Sequence, residues 1–349
     1  MTELRTLVVG CGKFCRDCLP GILEHGSFRV AAVADPDAAR RDAVGELAGV
    51  ESRMRFARDV DAYEHARFDF VFVFSPVGAH AANCRAALEA GCCVSVAKPF
   101  VDDLSEGRSL AEMAAERSLW ISVAQNARLS PTGKAVKRFV SSGQFGTAAF
   151  GNYYTYRNRM RDLPAYMREE PWPAINATSI HQFDLYRYLF EVDIASVCFR
   201  GCDAAWNPYR DPGVVMGWLE LANGLVISYF QSFVSRIHLG PEHPYTHVMF
   251  QGSKGALFWG GPWEQNAIQF HREEDQAVIE LPREQDDVTR ETKEYCQLLL
   301  ESLRGERDVF CDASDNLWSL AAVKAAEHSA AQGGLRVDVR EYARSHGMG

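Results

Sequence analysis

The sequence predicts an α/β chain. A doubly wound parallel sheet comes first, followed by an α+β domain with a large, mostly antiparallel open sheet. Three observations carry this. From Leu4 to about Val123, short apolar runs alternate with amphipathic stretches, the βαβ rhythm of a parallel sheet covered on both faces. After Pro131 the texture changes to aromatic and β-branched runs separated by turn signals, as in antiparallel strands. The length, 349 residues, exceeds one typical domain and suggests two, here divided as 1–124 and 125–349.

In order, the apolar runs at 7–9, 28–34, 54–56, 70–74, 94–96 and 119–123 read as buried strands. The stretches 38–48, 79–90 and 105–117 between them carry the helical period and strong helix formers. In the second half, 148–156, 195–199, 214–221, 225–233, 247–251 and 256–259 read as strands, with Ala222-Asn223-Gly224 as a hairpin turn between two of them. Helices are expected at 179–189, 289–304 and 316–331. No internal repeat or low-complexity linker is visible.

The first strand leads into Val8-Val9-Gly10-Cys11-Gly12-Lys13-Phe14-Cys15. Two glycines let the backbone turn tightly and approach a pyrophosphate, while the following helix points its N-terminus at that charge. Gly10, Gly12, Lys13 and Phe14 are therefore the candidate phosphate holders of a Rossmann dinucleotide site. Cys15 stands where a third glycine is usual, a position packed between helix and strand that tolerates a small thiol. Asp35 closes the second strand where an acid meets the ribose hydroxyls, which favours NAD. NADP is the alternative, with Arg40 or Arg41 available to a 2′-phosphate. The bland reading of the loop is an ordinary βα turn. Ser75-Pro76 and Lys98-Pro99 fall at the carboxyl ends of strands, where ligands bind in such sheets.

Composition narrows the partners. Lys plus Arg number 37 against 46 acids, a net charge of -9, with no basic stripe, so nucleic acid is not an expected partner. No apolar run is long enough to cross a bilayer, and Met1-Thr2-Glu3-Leu4-Arg5 passes straight into the first strand, leaving no room for a signal peptide. A cytoplasmic protein with its ten cysteines reduced is the expectation. Cys11, Cys15 and Cys18 lack a second cluster to complete zinc ligation, and His238, His243 and His247 are too widely spaced, so no metal is expected. Tyr153, Tyr154, Tyr156, Arg157, Arg159, Arg161, Asp162, Tyr166 and Trp172 cluster before the 179–189 helix. Aromatic faces that pack on C–H groups, beside guanidinium forks that read hydroxyls or a carboxylate, make a sugar-like lining. Some of them serve equally as an exposed strand face.

With these pieces in order, the chain resembles the Gfo/Idh/MocA family of glucose-fructose oxidoreductases and inositol dehydrogenases nearly end to end. The resemblance is carried by the Gly10 loop with Leu19-Pro20 in the first helix, Ala34-Asp35, Ser75-Pro76 with His80, and Ala97-Lys98-Pro99. Asn126, Arg128 and Pro131, Ser142-Gly143 with Gly146, His181 to Asp184, and Gln251-Gly252-Ser253-Lys254-Gly255 complete it. It implies a nucleotide-binding half, then an α/β half whose open sheet commonly forms the contacts of dimers or tetramers.

The family's Glu-Lys-Pro reads Ala97-Lys98-Pro99 here, so the lysine is kept and the acid is not. In relatives this lysine lies beside the nicotinamide and the reacting carbon, and its bond to proline is often cis. The resemblance makes Lys98 the first candidate for proton transfer and His181 the second. The bland readings are a surface lysine and a packed or capping histidine. A family helix bearing Asp, Gly, His and Asp corresponds to Ala177, Ser179, His181 and Asp184, so the first acid is missing although 177 and 181 would share one helical face. Ser75, Pro76, His80, Lys98, Pro99 and Asn126 are expected along the cofactor path, and Arg128, Tyr156, Arg159, Trp172, Asn176 and Asp184 around the substrate.

The function so implied is NAD-dependent hydride transfer at a secondary alcohol or ketone of a sugar, cyclitol or related polyol. Two alternatives stay open because of Ala97 and Ala177. One is a hydrolase or lyase that oxidises its sugar transiently on bound NAD. The other is a nucleotide-binding regulator that has lost catalysis.

Overall fold

The computed structural model describes residues 3–160, 168–237, 245–260 and 267–348. The chain forms two compact units, one comprising the residues up to Leu129 with Asp286–Leu317, the other Ser130–Gln285 with Trp318–Gly347. The division is therefore discontinuous, where the sequence suggests a single boundary at 124–125. Helices are α1 (Lys13–His25), α2 (Ala38–Leu47), α3 (Asp59–His65), α4 (Val77–Glu89), α5 (Leu104–Glu116), α6 (Pro131–Ser141), α7 (Ser179–Phe190), α8 (Val288–Leu303) and α9 (Ala313–Ala331), with shorter turns between them.

In the first unit, β1 (Leu4–Val9), β2 (Phe28–Ala34), β3 (Arg55–Phe56), β4 (Phe70–Val73), β5 (Cys93–Ala97) and β6 (Ile121–Ala124) pair in the order β3-β2-β1-β4-β5-β6, all parallel. Every residue of β4, β5 and β6 is buried, which is why these strands read as continuous apolar runs. The order reverses beside β1, the place where such sheets open a crevice at their carboxyl ends. Sequence reasoning missed α3, whose seven residues are too few to show a helical period; Asp59 and Asp61 in its first turn favour the helix start electrostatically.

Helix α8 belongs to this unit for two local reasons. It lies against α1 so closely that a Cβ on Gly21 would fall 2.5 Å from Thr292 Cβ. Its Tyr295 hydroxyl sits 2.9 Å from both Ser95 Oγ in β5 and Ser122 Oγ in β6, giving three buried hydroxyls their partners.

The second unit holds a nine-stranded sheet of β7 (Ala148–Tyr156), β8 (Ile194–Cys202), β9 (Val214–Leu221), β10 (Val226–Ser232), β11 (Tyr245–Gly252), β12 (Gly255–Gly260), β13 (Ile268–Arg272), β14 (Val278–Glu280) and β15 (Val337–Asp338). Its order is β14-β13-β12-β11-β7-β10-β9-β8-β15. All neighbours are antiparallel except β7 and β10, so the sheet is mixed but mostly antiparallel. The expected β9–β10 hairpin is present, with Gly224 at φ +86° and Leu225 N donating to Asn223 Oδ1 at 3.1 Å. Among the described residues no helix is long and apolar enough to cross a membrane, and no cysteine is joined to another in a disulfide.

Candidate active site

At the end of β1 the chain turns at Gly10, whose φ is +89°. A Cβ there would lie 2.4 Å from Ser75 N and 2.6 Å from the Phe74 carbonyl carbon, so backbone conformation and space both demand glycine. Gly12 differs. Its φ is -74°, and an added Cβ would meet nothing within 4 Å. It caps α1 without a side-chain hydrogen bond, so the first-turn amides have no capping side chain. Donors at a helix start, beside a glycine where a Cβ would fill the approach, fit a pyrophosphate.

Asp35 is buried beside this loop. Its Oδ2 accepts from Cys11 N at 2.7 Å and its Oδ1 accepts from Asp37 N at 2.8 Å, which fixes the carboxylate at the end of β2. Arg41 Nη1 donates to Asp35 O at 2.9 Å, whereas the exposed Arg40 pairs with Asp37 at 3.2 Å. Burial, followed by the charge of Asp35, pushes the Cys11 thiol up to about 12, so it adds no second negative charge near the loop. Lys13 is expected to hold phosphate, yet its side chain is exposed and paired with Asp17 at 2.6 Å. Its place in the loop leaves its backbone amide as the group it can offer.

Beyond the paired residues Val73 and Val96 of β4 and β5 come Ser75 and Lys98, at neighbouring strand ends. The half-buried Lys98 is joined to Pro99 by a cis peptide bond. His80 ties these two turns together. Its Nε2 lies 2.7 Å from Ser75 O, and its Nδ1 lies 2.9 Å from Pro99 O and 3.3 Å from Phe100 O. Sequence reasoning placed His80 along the cofactor path. The ring is buried, with Nε2 turned to the Ser75 carbonyl and Nδ1 to those of Pro99 and Phe100; in the neutral form one nitrogen donates, and the tautomer sets which strand end it braces. Ser75 Oγ is also engaged, donating to Asn83 Oδ1 at 2.7 Å, and Asn83 Nδ2 donates to Asp59 Oδ2 at 2.8 Å.

Burial holds the His80 pKa below its ordinary 6.5, against the opposing pull of the carbonyls and Asp102. Below 6.5 the unfolded chain binds a proton that the folded chain refuses, so the stability due to neutral His80 is full above that pH and is lost as pH falls toward the folded value. Urea unfolding is expected to show stability dropping as pH falls below 6.5, with a smaller drop in His80→Gln. Equal drops in the two proteins would remove His80 as the cause.

A pocket in the same unit is lined by Phe14, Cys18, Ile22, Phe72, Phe74, Gln125, Asn126, Leu129, Val288 and Tyr295 among others. Gln125 directly follows β6 and is wholly buried, and neither its Oε1 nor its Nε2 has a hydrogen-bond partner. Such orphaned groups cost on the order of 1–3 kcal/mol each when nothing binds them. Gln125 is not among the residues expected from sequence, where its neighbour Asn126 is. The available signal was a long polar side chain placed directly after an apolar strand.

Comparison with known proteins fits this geometry. A model of the oxidoreductase family, NAD-binding Rossmann fold, matches residues 4–125, and that of the oxidoreductase family, C-terminal alpha/beta domain, matches residues 139–339. The chain belongs to the Gfo/Idh/MocA family. It is 24% identical over 344 residues to a D-apiose dehydrogenase from Rhizobium rhizogenes, covering 95% of this chain and 97% of that one. Two solved structures share the fold. One is an oxidoreductase from Agrobacterium radiobacter in complex with NAD+, L-tartaric acid and magnesium, with a TM-score of 0.87 at 21% identity over 97% of this chain and 99% of that one. The other is an inositol dehydrogenase homologue from Azotobacter vinelandii complexed with NADH and myo-inositol, with a TM-score of 0.82 at 18% identity over 97% and 98%.

In this Gfo/Idh/MocA protein the residues expected around a substrate divide into two groups. Tyr156 and Arg159 are half-buried, at and just beyond the end of β7. The Tyr156 ring lies 4.8 Å from that of Phe230, and the Arg159 guanidinium sits 5.0 Å over the Phe233 ring. His181 is half-buried in the first turn of α7. The others are engaged in the scaffold. Arg128 is buried and 3.4 Å from Asp315. Trp172 has its φ at +44°, and its ring covers Gly201 so closely that a Cβ there would be 2.5 Å away. Asn176 Nδ2 donates to Pro171 O at 2.8 Å and to Glu327 Oε2 at 3.2 Å. Asp184 is wholly buried and accepts from Ser319 Oγ at 3.0 Å, so it anchors α7. Arg161, Asp162, Tyr166, His238 and His243 lie outside the described residues.

The helix expected to carry both 177 and 181 is interrupted. A turn at Pro173–Asn176 ends before Ala177, and α7 begins at Ser179, so 177 and 181 do not share one continuous helical face. Ala177 packs instead on the cluster of Tyr209, Phe233 and Val234. Beneath the start of α7, Tyr229 OH lies 2.9 Å from Ser179 Oγ and donates to Gln231 Oε1 at 2.9 Å. Gln231 Nε2 in turn donates to Ala174 O and Thr178 Oγ1. Sequence reasoning missed this network, whose only trace is a pair of polar groups at the inward positions of β10.

Proposed function

We propose that this chain is an NAD-dependent dehydrogenase of a secondary alcohol on a sugar, cyclitol or related polyol, or of the corresponding ketone in reverse. The observation that carries the reading is the place of Lys98. It directly follows β5 beside β4, and the turn after β4 seats Gly10, so the lysine lies at the strand ends, one strand over from the turn that seats the dinucleotide cradle. The dinucleotide, when bound, supplies the hydride acceptor.

The amides after Gly10 and Gly12 would hold its phosphates, and Asp35 its adenosine ribose. A fixed carboxylate accepts from ribose hydroxyls and repels a 2′-phosphate, which favours NAD over NADP. Fluorescence titration with both cofactors tests this, and tighter NADP binding would reverse the assignment. Lys98 Nζ accepts the proton of the substrate hydroxyl, and His181 is the second group for carrying it onward. Tyr156 and Arg159 offer an aromatic face and a guanidinium fork to a polyhydroxylated ring. Asp184 acts through α7 as a positioning residue. The relatives described as a D-apiose dehydrogenase and as an inositol dehydrogenase homologue complexed with NADH and myo-inositol support the substrate class.

Assembly as a homodimer or homotetramer through the open sheet belongs to the same reading. Phe150, Met216 and Val226 are exposed on one face of β7, β9 and β10. A screen of sugars, cyclitols and their uronic acids with NAD, following both NADH and product, tests the reaction. Dinucleotide binding without turnover of any of them would replace the dehydrogenase with a regulator. One second reading, a hydrolase or lyase with transient oxidation, is favoured by Ala177, which packs on Tyr209, Phe233 and Val234 at the position where the family pattern carries an acid. Its mark would be consumed substrate without accumulated NADH.

A further inference from the structure

The pocket that contains Gln125 sits next to the dinucleotide cradle. Phe14 follows Gly12 by two residues, and Phe74 immediately precedes Ser75, the residue against which Gly10 is seated. The walls are mostly rings and aliphatic side chains, with Asn126, Glu291 and Thr292 as further polar members. Phe14 meets Phe74 edge-on at 5.6 Å, Phe74 stacks on Phe72 at 5.8 Å, and Ile22, Leu129, Val288 and Tyr295 add to the apolar lining. The space is about 60 Å³. One water needs roughly 10–15 Å³ on this measure, so it accepts about four waters or one edge of a small planar ring.

In this apolar setting, one buried planar group presents an orphaned donor, Nε2, and an orphaned acceptor, Oε1. A carboxylate ligand would satisfy Nε2 but set a negative oxygen against Oε1. A ligand that satisfies both atoms together carries a donor and an acceptor side by side in one plane, as a primary amide on an aromatic ring does. We propose that Gln125 receives the carboxamide of the nicotinamide ring, its Nε2–H donating to the ligand carbonyl and its Oε1 accepting from the ligand N–H. The assignment rests on the dinucleotide reading above and adds to it a residue that selects the amide form of the cofactor.

The test compares binding of NAD, nicotinic acid adenine dinucleotide and ADP-ribose, by calorimetry or tryptophan fluorescence, in wild type and Gln125→Met. Wild type is expected to prefer NAD over the nicotinic acid form by about tenfold or more, since a site built to hydrogen-bond one group rejects its mismatched analogue. In Gln125→Met the preference should fall to about one, with ADP-ribose affinity within about twofold of wild type. The ligand-free melting temperature of the variant should equal or exceed that of wild type, because an unpaired buried amide has been removed, while the shift produced by NAD shrinks.

Equal wild-type affinity for NAD and its nicotinic acid form would overturn the Gln125 assignment and leave a pocket filled only by water. A preference retained in Gln125→Met would overturn it as well. The wild-type ratio decides alone if the variant does not fold. Failure of both NAD and ADP-ribose to bind wild type would instead overturn the dinucleotide reading itself.

Discussion

Lys98→Ala is expected to lower kcat by about 10³-fold, within the 10²–10⁴ range that a positioned proton-transfer group contributes. Its dinucleotide affinity should stay within about twofold of wild type, because the groups that would hold phosphates and ribose belong to other turns. Structure gives the reason for that separation. Gly10 is fixed against Ala34 and the turn after β4 and Asp35 by the Cys11 amide, while Lys98 sits beyond β5 in a turn whose Pro99 and Phe100 carbonyls face His80. Removing the side chain leaves that brace in place. Lys98→Arg separates charge from proton transfer, since a guanidinium keeps the positive charge but does not release its proton near neutral pH. It should be nearly as slow as the alanine variant. Turnover at the wild-type rate in Lys98→Ala would take the residue out of the mechanism.

The second large effect comes from the two glycines of the loop, which should fail in different ways when each is changed to alanine. At Gly10 the new Cβ falls 2.4 Å from Ser75 N in a backbone with φ +89°, so the β1–β4 strand ends must part or the turn must rebuild. Strain and overpacking of this kind cost about 3–5 kcal/mol together, on the order of 10 °C in melting temperature. At Gly12 the backbone is ordinary and the Cβ enters empty space. Gly12→Ala should melt within about 2 °C of wild type, yet bind NAD at least about tenfold more weakly, because the methyl group occupies the approach of the phosphates. Thermal melts with and without NAD check both. Wild-type affinity in Gly12→Ala would show that the phosphates do not pass over it.

Much of the fold was legible because burial on both faces leaves a direct mark on sequence. The runs at β1, β2, β4, β5 and β6 are mostly apolar, broken only by Arg5, Thr6, Arg29, Ser95 and Ser122, and the glycine loop and Asp35 fall at strand ends where chemistry requires them. Short elements with mixed burial left no such mark, as α3 and β15 show. The site was legible in residue type more than in role. His80 was visible as a histidine after Ser75-Pro76, but nothing in spacing shows that both its nitrogens meet carbonyls. Asp184 was visible as an acid one turn beyond His181, yet its burial depends on Ser319, 135 positions away in the chain. Gln125 escaped notice because an orphaned amide is defined by what surrounds it, and Phe14, Phe74 and Tyr295 are far apart in sequence.

Because the first unit takes α8 and its Tyr295 from Asp286–Leu317, the unit cannot be completed when the ribosome has made only the first 129 residues, although all six strands of its sheet are by then in the chain. The intervening segment, Ser130–Gln285, takes about 10–30 s to translate at roughly 5–20 residues per second. During that interval the nascent sheet carries the hydroxyls of Ser95 and Ser122 without their tyrosine and the face of α1 without its companion helix. A fragment cut after Leu129 would be held in that unfinished condition, so expressing the N-terminal portion by itself is a poor route to a working nucleotide-binding module.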